Sequence, residues 1–208
     1  MFNPHQVTRD FEEAICSYTG APYAVAVNSC TMALLLAIKW HVKDLHYTPC
    51  VKIPKHTYVS VPQSIFHAGG KVKFIDHEWE AAYRLNPFPV WDSARWFTSN
   101  MYNALTWGGG IGMVCVSFHA SKTLGIEQGG AILHNDPEAD KWFRKARFDG
   151  RTEGVEPKDD TFDMIGYHCY LNPSIAAQGL LKLASLPRHN APLPNSDYPD
   201  LSKMEIFK

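Results

Sequence analysis

The sequence predicts an α/β fold with a mainly parallel sheet. Two features carry this expectation. Short apolar runs such as "YAVAV", "CVKIP", "KVKFI" and "MVCV" alternate with segments of helical spacing. Breakers such as "TGAP" and "HAGG" mark the joints between the two kinds of segment. Alternating β and α segments place helices against a parallel sheet.

The elements follow in chain order. "DFEEAICSY" puts Phe11, Ile15 and Tyr18 on one side of a helix, and Asp10 with Glu13 three residues later predicts a capping box at its start. "YAVAVNS" reads as a short buried strand, and "TMALLLAIKWHV" as a largely buried helix. "CVKIP" is a strand, "YVSVPQSIFHAGG" a helix closed by glycines, and "KVKFID" a further strand. Between Asp76 and Trp91 no period is visible. "FPVWDSA" predicts a strand ending at Asp92; "WGGGIGMVCVSFH" and "GGAILHN" predict two more. "DPEADKWFRKARFDG" is a charged amphipathic helix, and "YLNPSIAAQGLLKLASL" a helix beginning near Pro173. One domain is expected over residues 1–186. Residues 187–208, rich in proline and polar groups, read as an extended or disordered tail.

Composition narrows the function classes. A chain of 208 residues can bury one real core. Its net charge of −1 offers no basic footprint for nucleic acid. No apolar run reaches 18 residues, so no membrane helix is expected, and the polar opening "MFNPHQVTRDFEE" does not read as a signal segment. The cysteines at 16, 30, 50, 115 and 169 form no CxxC pair, which fits reduced thiols in the cytoplasm. "SKT" lacks the glycine that a P-loop needs before its lysine, and "GGGIGM" precedes a strand instead of opening a helix. Cys115, His119, His168 and Cys169 match no usual zinc spacing, and no metal is expected.

Three short stretches remain. "NSCT", residues 28–31, joins a strand to a helix start, where free N–H groups attract phosphate. "VWDSAR" sets Asp92 at the end of a strand, the place where ligands gather in open α/β sheets. "SFHASKTLG" sets Lys122 on a short loop after a strand, five residues beyond Ser117. Taken singly, these are a helix cap, a turn carboxylate and a surface charge. Taken together, they supply an anion cradle, a carboxylate and an amine. Pyridoxal 5'-phosphate (PLP) needs all three: its phosphate, ring nitrogen and aldehyde each find a partner.

On these residues the chain resembles the DegT/StrS family of PLP-dependent sugar-nucleotide aminotransferases, from about Phe11 to about Leu186. The matching stretches are "FEEAICSYTGAPYAVAV", Ser29-Cys30-Thr31-Met32-Ala33-Leu34, "PKHTY", Asp92-Ser93-Ala94, "SFHASK", the glycine pair and "RFDGR". The resemblance implies a three-layer α/β/α architecture like the large domain of aspartate aminotransferase (fold type I). It implies that Lys122 forms the Schiff base with PLP and shuttles protons, and that Asp92 pairs with the pyridinium nitrogen. Ser117 would bind phosphate by hydroxyl; in the Ser29–Thr31 turn, Thr31 would do so by hydroxyl and Cys30 by its backbone N–H. Tyr58 would stack on the cofactor. Arg95 stands near the position of the phenolic oxygen, where the family commonly has Gln or His. His168 stands where the family usually has an Asn that reaches the partner subunit's phosphate. Cys30 replaces a usual glycine, and most of the family's C-terminal domain is absent. The implied reaction moves an amino group from L-glutamate to a nucleotide-linked keto sugar, in a homodimer with shared active sites. Two alternatives are a sugar dehydratase, which Lys122 opposes because the related dehydratases carry His there, and a non-catalytic PLP-binding remnant.

Overall fold

The computed structural model describes residues 5–194 and 197–208. Its helices are α1 (Gln6–Thr19), α2 (Cys30–Val42), α3 (Ser60–His67), α4 (Met101–Leu105), α5 (Pro137–Ala146) and α6 (Pro173–Ala184). Its strands are β1 (Tyr23–Val27), β2 (Cys50–Pro54), β3 (Lys71–Ile75), β4 (Tyr83–Arg84), β5 (Val90–Ser93), β6 (Met113–Ser117) and β7 (Gly130–His134). The main sheet runs β1-β7-β6-β5-β4, and β2 and β3 form a separate parallel pair.

Period-2 alternation in the central strands feeds two cores. Val25, Val27, Cys115 and Ile132 face one way and pack with Leu34 and Leu36 of α2 and Phe143 of α5. Ala24, Ala26, Val114, Val116, Ala131 and Leu133 face the other way and pack with Phe11 and Ile15 of α1 and Ala176 of α6. Helices on both faces make the three-layer α/β/α arrangement. The close fit of α1 on α6 depends on Gly179, where a Cβ would come within 2.5 Å of the Phe11 ring.

Two expectations change on contact with the structure. The main sheet is mixed: β5 and β6 are parallel, while β1/β7, β6/β7 and β4/β5 are antiparallel. The reason lies in the connections. Residues 118–129 contain no helix to carry the chain across the sheet, so β7 returns beside β6 in the opposite direction. The capping box at Asp10 does not form either. Helix α1 begins at Gln6, so Asp10 lies within it and accepts a hydrogen bond from Gln6 Nε2 at 2.9 Å. The aperiodic stretch before Asp92 holds β4, in a hairpin with β5. The tail is tied along its course: Ser99 N–H donates to Arg188, Leu193 N–H to Arg95 and Leu201 N–H to Lys55. Two 3-10 turns, Leu201–Lys203 and Glu205–Phe207, close it. Among the described residues, no helix is long and apolar enough to cross a membrane.

A buried ionic network joins the first helix layer to α5. Arg147 is 1% exposed. It donates to both Glu12 and the Ala26 carbonyl, and to Glu153 Oε1 at 2.8 Å. Arg144 Nη1 reaches the other Glu12 oxygen at 2.7 Å, and the Ala26 N–H donates to Glu12 Oε1 at 2.8 Å. Burial alone would raise the Glu153 carboxyl, but Arg147 and Arg9 outweigh it and hold Glu153 below the usual carboxylate range. Truncating one partner leaves charges buried without compensation. Arg147→Ala should therefore lower the unfolding free energy by about 3–5 kcal/mol in urea titrations. The Glu153 contribution is full above its unfolded pKa and disappears as acid titrates through the depressed folded value. The variant should accordingly show a shallower loss of stability on the acid side than the parent protein.

Candidate active site

A cavity of about 460 Å³ opens at the C-terminal ends of β1, β5 and β6. Ser29, Cys30, Thr31, Tyr58, Asp92, Arg95, Ser117 and Lys122 all line it. Four segments far apart in sequence thus deliver eight of the nominated side chains to one space.

The first wall is the start of α2. Ser29 is the N-cap in extended backbone, and its hydroxyl accepts from the Met32 N–H at 3.2 Å. Helix geometry gives the N–H groups of Cys30 and Thr31 no partner within α2, and their dipoles point out of the helix end. The Thr31 hydroxyl donates to Ser60 Oγ at 2.9 Å. This helix end can sit against the sheet because residue 130 is glycine. A Cβ there would lie 2.5 Å from Cys30 N, 2.7 Å from the Ser29 carbonyl carbon and 2.8 Å from Val116 O. The Cys30 thiol is buried. Burial, then the nearby Asp92 and Cys115, pushes its pKa well above the ordinary value, so it stays a neutral packing group.

The second wall is the end of β5. Asp92 is 5% exposed. Its Oδ1 accepts the Ala94 N–H at 2.9 Å, and its Oδ2 accepts the Tyr83 hydroxyl at 2.9 Å. Burial raises the Asp92 pKa; the two donors and Lys122 oppose that rise without cancelling it. A buried carboxyl with a raised pKa in a cavity suits a partner that brings positive charge.

The third wall follows β6. Ser117 ends the strand, and its Oγ faces the His119 N–H at 3.4 Å. The Lys122 N–H donates to the His119 carbonyl at 2.8 Å, a tight turn that returns the half-buried lysine to the cavity.

The mouth is aromatic. Tyr58, Trp79 and Tyr198 line it. Tyr198 meets Tyr58 edge-on and stacks with Trp79, each at 6.4 Å between centroids. Arg95 directs its guanidinium at the tail: Nε faces the Leu193 carbonyl and Nη1 the Tyr198 hydroxyl, both at 3.4 Å. His168 lies elsewhere. Its side chain is 72% exposed and its Nδ1 pairs with Asp149 Oδ2 at 2.9 Å. Sequence reading did not nominate Tyr83, Thr57, Trp79 or Tyr198. Trp79 and Tyr83 fall in the stretch with no visible period, Thr57 lies in "PKHTY" beside the nominated Tyr58, and Tyr198 falls in the tail.

The donor set fits PLP. A helix N-terminus with flanking Ser117 and Thr31 hydroxyls suits a phosphate, the buried Asp92 suits a ring nitrogen, and Lys122 supplies an amine in the same cavity. The fold is that of the large domain of the PLP-dependent aminotransferases. The chain belongs to the DegT/DnrJ/EryC1/StrS aminotransferase family, whose model matches residues 3–88 and 90–192. A stretch of 68 residues is 38% identical to the spore coat polysaccharide biosynthesis protein SpsC of Bacillus subtilis (strain 168), covering 33% of this chain and 17% of that protein. The fold matches sugar aminotransferase CalS13 from Micromonospora echinospora with a TM-score of 0.70 at 19% identity, over 86% of this chain and 60% of that one. It matches Helicobacter pylori PseC, an aminotransferase involved in the biosynthesis of pseudoaminic acid, with a TM-score of 0.66 at 19% identity, over 87% of this chain and 58% of that one. The chain thus spans less than two thirds of the length of these proteins.

Gly130→Ala should push the α2 end away from the sheet. Overpacking of this kind costs about 1–3 kcal/mol, readable in urea. The same variant should bind PLP more weakly in a fluorescence titration, because the displaced N–H groups no longer meet the phosphate.

Proposed function

We propose that this chain is a PLP-dependent aminotransferase acting on a nucleotide-linked keto sugar, with L-glutamate as amino donor. The observation that carries the proposal is the convergence of Lys122, Asp92 and the α2 N-terminus on one cavity. When bound, PLP supplies an electron sink that lets an amino acid exchange its amino group. The chain's own residues do the rest. The N–H groups of Cys30 and Thr31, with the Ser117 hydroxyl, would hold the phosphate. Asp92 keeps a proton on the ring nitrogen. Lys122 Nζ would hold the aldehyde and would serve as the group that moves a proton during amino transfer.

The acceptor assignment draws support from the mouth. The faces of Tyr58, Trp79 and Tyr198 can stack on a sugar ring, while Asn28, His119 and Gln128 offer polar groups for hydroxyls. CalS13, whose fold this chain matches, is a sugar aminotransferase. Assembly follows the same reading: we take the protein to be a homodimer in which the exposed His168 reaches the neighbouring subunit's phosphate.

Borohydride treatment of the PLP-loaded protein should fix the label on Lys122, located by peptide mapping; a label on another lysine removes the anchor assignment. L-glutamate should convert the bound cofactor to its aminated form, seen as loss of the visible absorbance band. A 3- or 4-keto sugar nucleotide should restore it. If glutamate acts and no keto sugar does, the acceptor assignment falls alone. If no amino acid changes the spectrum, the chain binds PLP without catalysis. Asp92→Asn should retain the cofactor and slow amino transfer by at least about tenfold in single turnovers, since a neutral amide does not hold the ring-nitrogen proton.

A further inference from the structure

We propose that Tyr83 is a positioning residue for Asp92: its hydroxyl, itself held by Thr57, orients the carboxylate and favours its negative charge opposite the ring nitrogen of PLP. The proposal rests on the PLP reading above and deepens it.

The register creates the contact. Tyr83 of β4 is the direct antiparallel partner of Asp92 of β5, so the two side chains stand on the same face of the sheet. Tyr83 is 4% exposed and its hydroxyl donates to Asp92 Oδ2 at 2.9 Å. Thr57 Oγ1 lies 2.5 Å from the same phenolic oxygen. A phenol has one proton to give. If Asp92 receives it, the Thr57 hydroxyl must donate to Tyr83. The chain of donors then runs from Thr57 to Tyr83 to Asp92. Trp79 packs on the Tyr83 ring at 4.7 Å between centroids and limits its movement.

The surroundings show why such a donor matters. Burial favours the neutral form of Asp92. A neutral carboxyl does not hold a proton on a pyridine nitrogen. Four titratable groups face it: Tyr83 from β4, Cys30 from α2, Cys115 from β6 and Lys122 from the loop after β6. Burial pushes both thiols well up, so they contribute no charge. Burial, then Asp92, does the same to the Tyr83 phenol, which therefore remains a donor. Lys122 is committed to the aldehyde once PLP is bound. Only the Tyr83 hydroxyl and the Ala94 N–H are then left, among these groups, to favour the carboxylate. Each takes one oxygen of Asp92, whose side chain lines the cavity.

The experiment compares PLP with its carbocyclic analogue, in which CH replaces the ring nitrogen. Affinities are measured by fluorescence titration of the whole chain. The wild type should prefer PLP. Tyr83→Phe should shrink that preference about tenfold while leaving the analogue's affinity unchanged, because one charge-assisted hydrogen bond to Asp92 is lost. Asp92→Asn should shrink it at least as much. If Tyr83→Phe keeps the wild-type ratio, or weakens both ligands equally, Tyr83 only packs and the proposal is overturned. If Tyr83→Phe does not fold, Thr57→Val serves in its place: it keeps the phenol, removes its donor, and should shrink the ratio by a smaller factor. An unchanged ratio in Thr57→Val overturns the proposal equally. A wild type that binds neither ligand overturns the PLP reading itself, a result distinct from PLP bound with an unchanged ratio.

Discussion

The contact on which the site depends is made by an atom that is not there. Gly130 begins β7 between Val27 of β1 and Ser117 of β6. Its missing side chain lets the first turn of α2 lie against the strand ends. Any Cβ at that position would collide with the backbone of Ser29, Cys30 and Val116, none of which can swing aside like a side chain. The free N–H groups of α2 are thereby brought beside the hydroxyl of Ser117 and the loop that presents Lys122. A helix end a few ångströms further out would still be capped by Ser29, but it would no longer share a cavity with Asp92.

Asp92 shows the opposite economy. Stability favours an apolar or neutral group in so buried a place, since desolvation works against its charge. The structure retains the carboxyl group and gives it two donors, the Ala94 N–H and the Tyr83 hydroxyl, which together with Lys122 oppose the rise that burial causes. The ionic network of Glu12, Arg144, Arg147 and Glu153 solves the same physical problem differently, with full charge pairing. One set of buried charges is saturated by its partners. The other, Asp92, has two neutral donors and lines the cavity, which makes it a candidate for completing its bonding with a ligand.

What could be read in the sequence was what neighbours along the chain determine. Lys122, Ser117 and Asp92 each follow an apolar strand, and Ser29–Thr31 begins a helix, so local pattern placed them at strand ends and helix start. Tyr83 could not be found that way. Its role comes from pairing with Asp92 across a hairpin, inside a stretch whose strand is two residues long. Tyr198 reaches the mouth only because the tail hydrogen-bonds back to Arg95 and to His56. Strand direction was hidden for a related reason. Nothing in "GGAILHN" states which way it pairs; that follows from the helix-free connection before it. The Asp10 capping motif was present as letters, but the helix began a turn earlier and turned Asp10 into an interior residue.

These origins divide the cavity into two halves with different physical control. The inner half consists of strand ends and a helix start, held by sheet register and by two packed cores. Its geometry can hardly shift without disturbing the fold, which is what the roles proposed for Lys122 and Asp92 require. The outer half consists of Tyr58, Trp79, Arg95 and Tyr198, joined by ring contacts and by hydrogen bonds to the tail. Those contacts can be rearranged without breaking a strand pairing. On the proposed reading, chemistry at the cofactor is tied to the fold, whereas what reaches it depends on loop and tail side chains joined by ring contacts and hydrogen bonds.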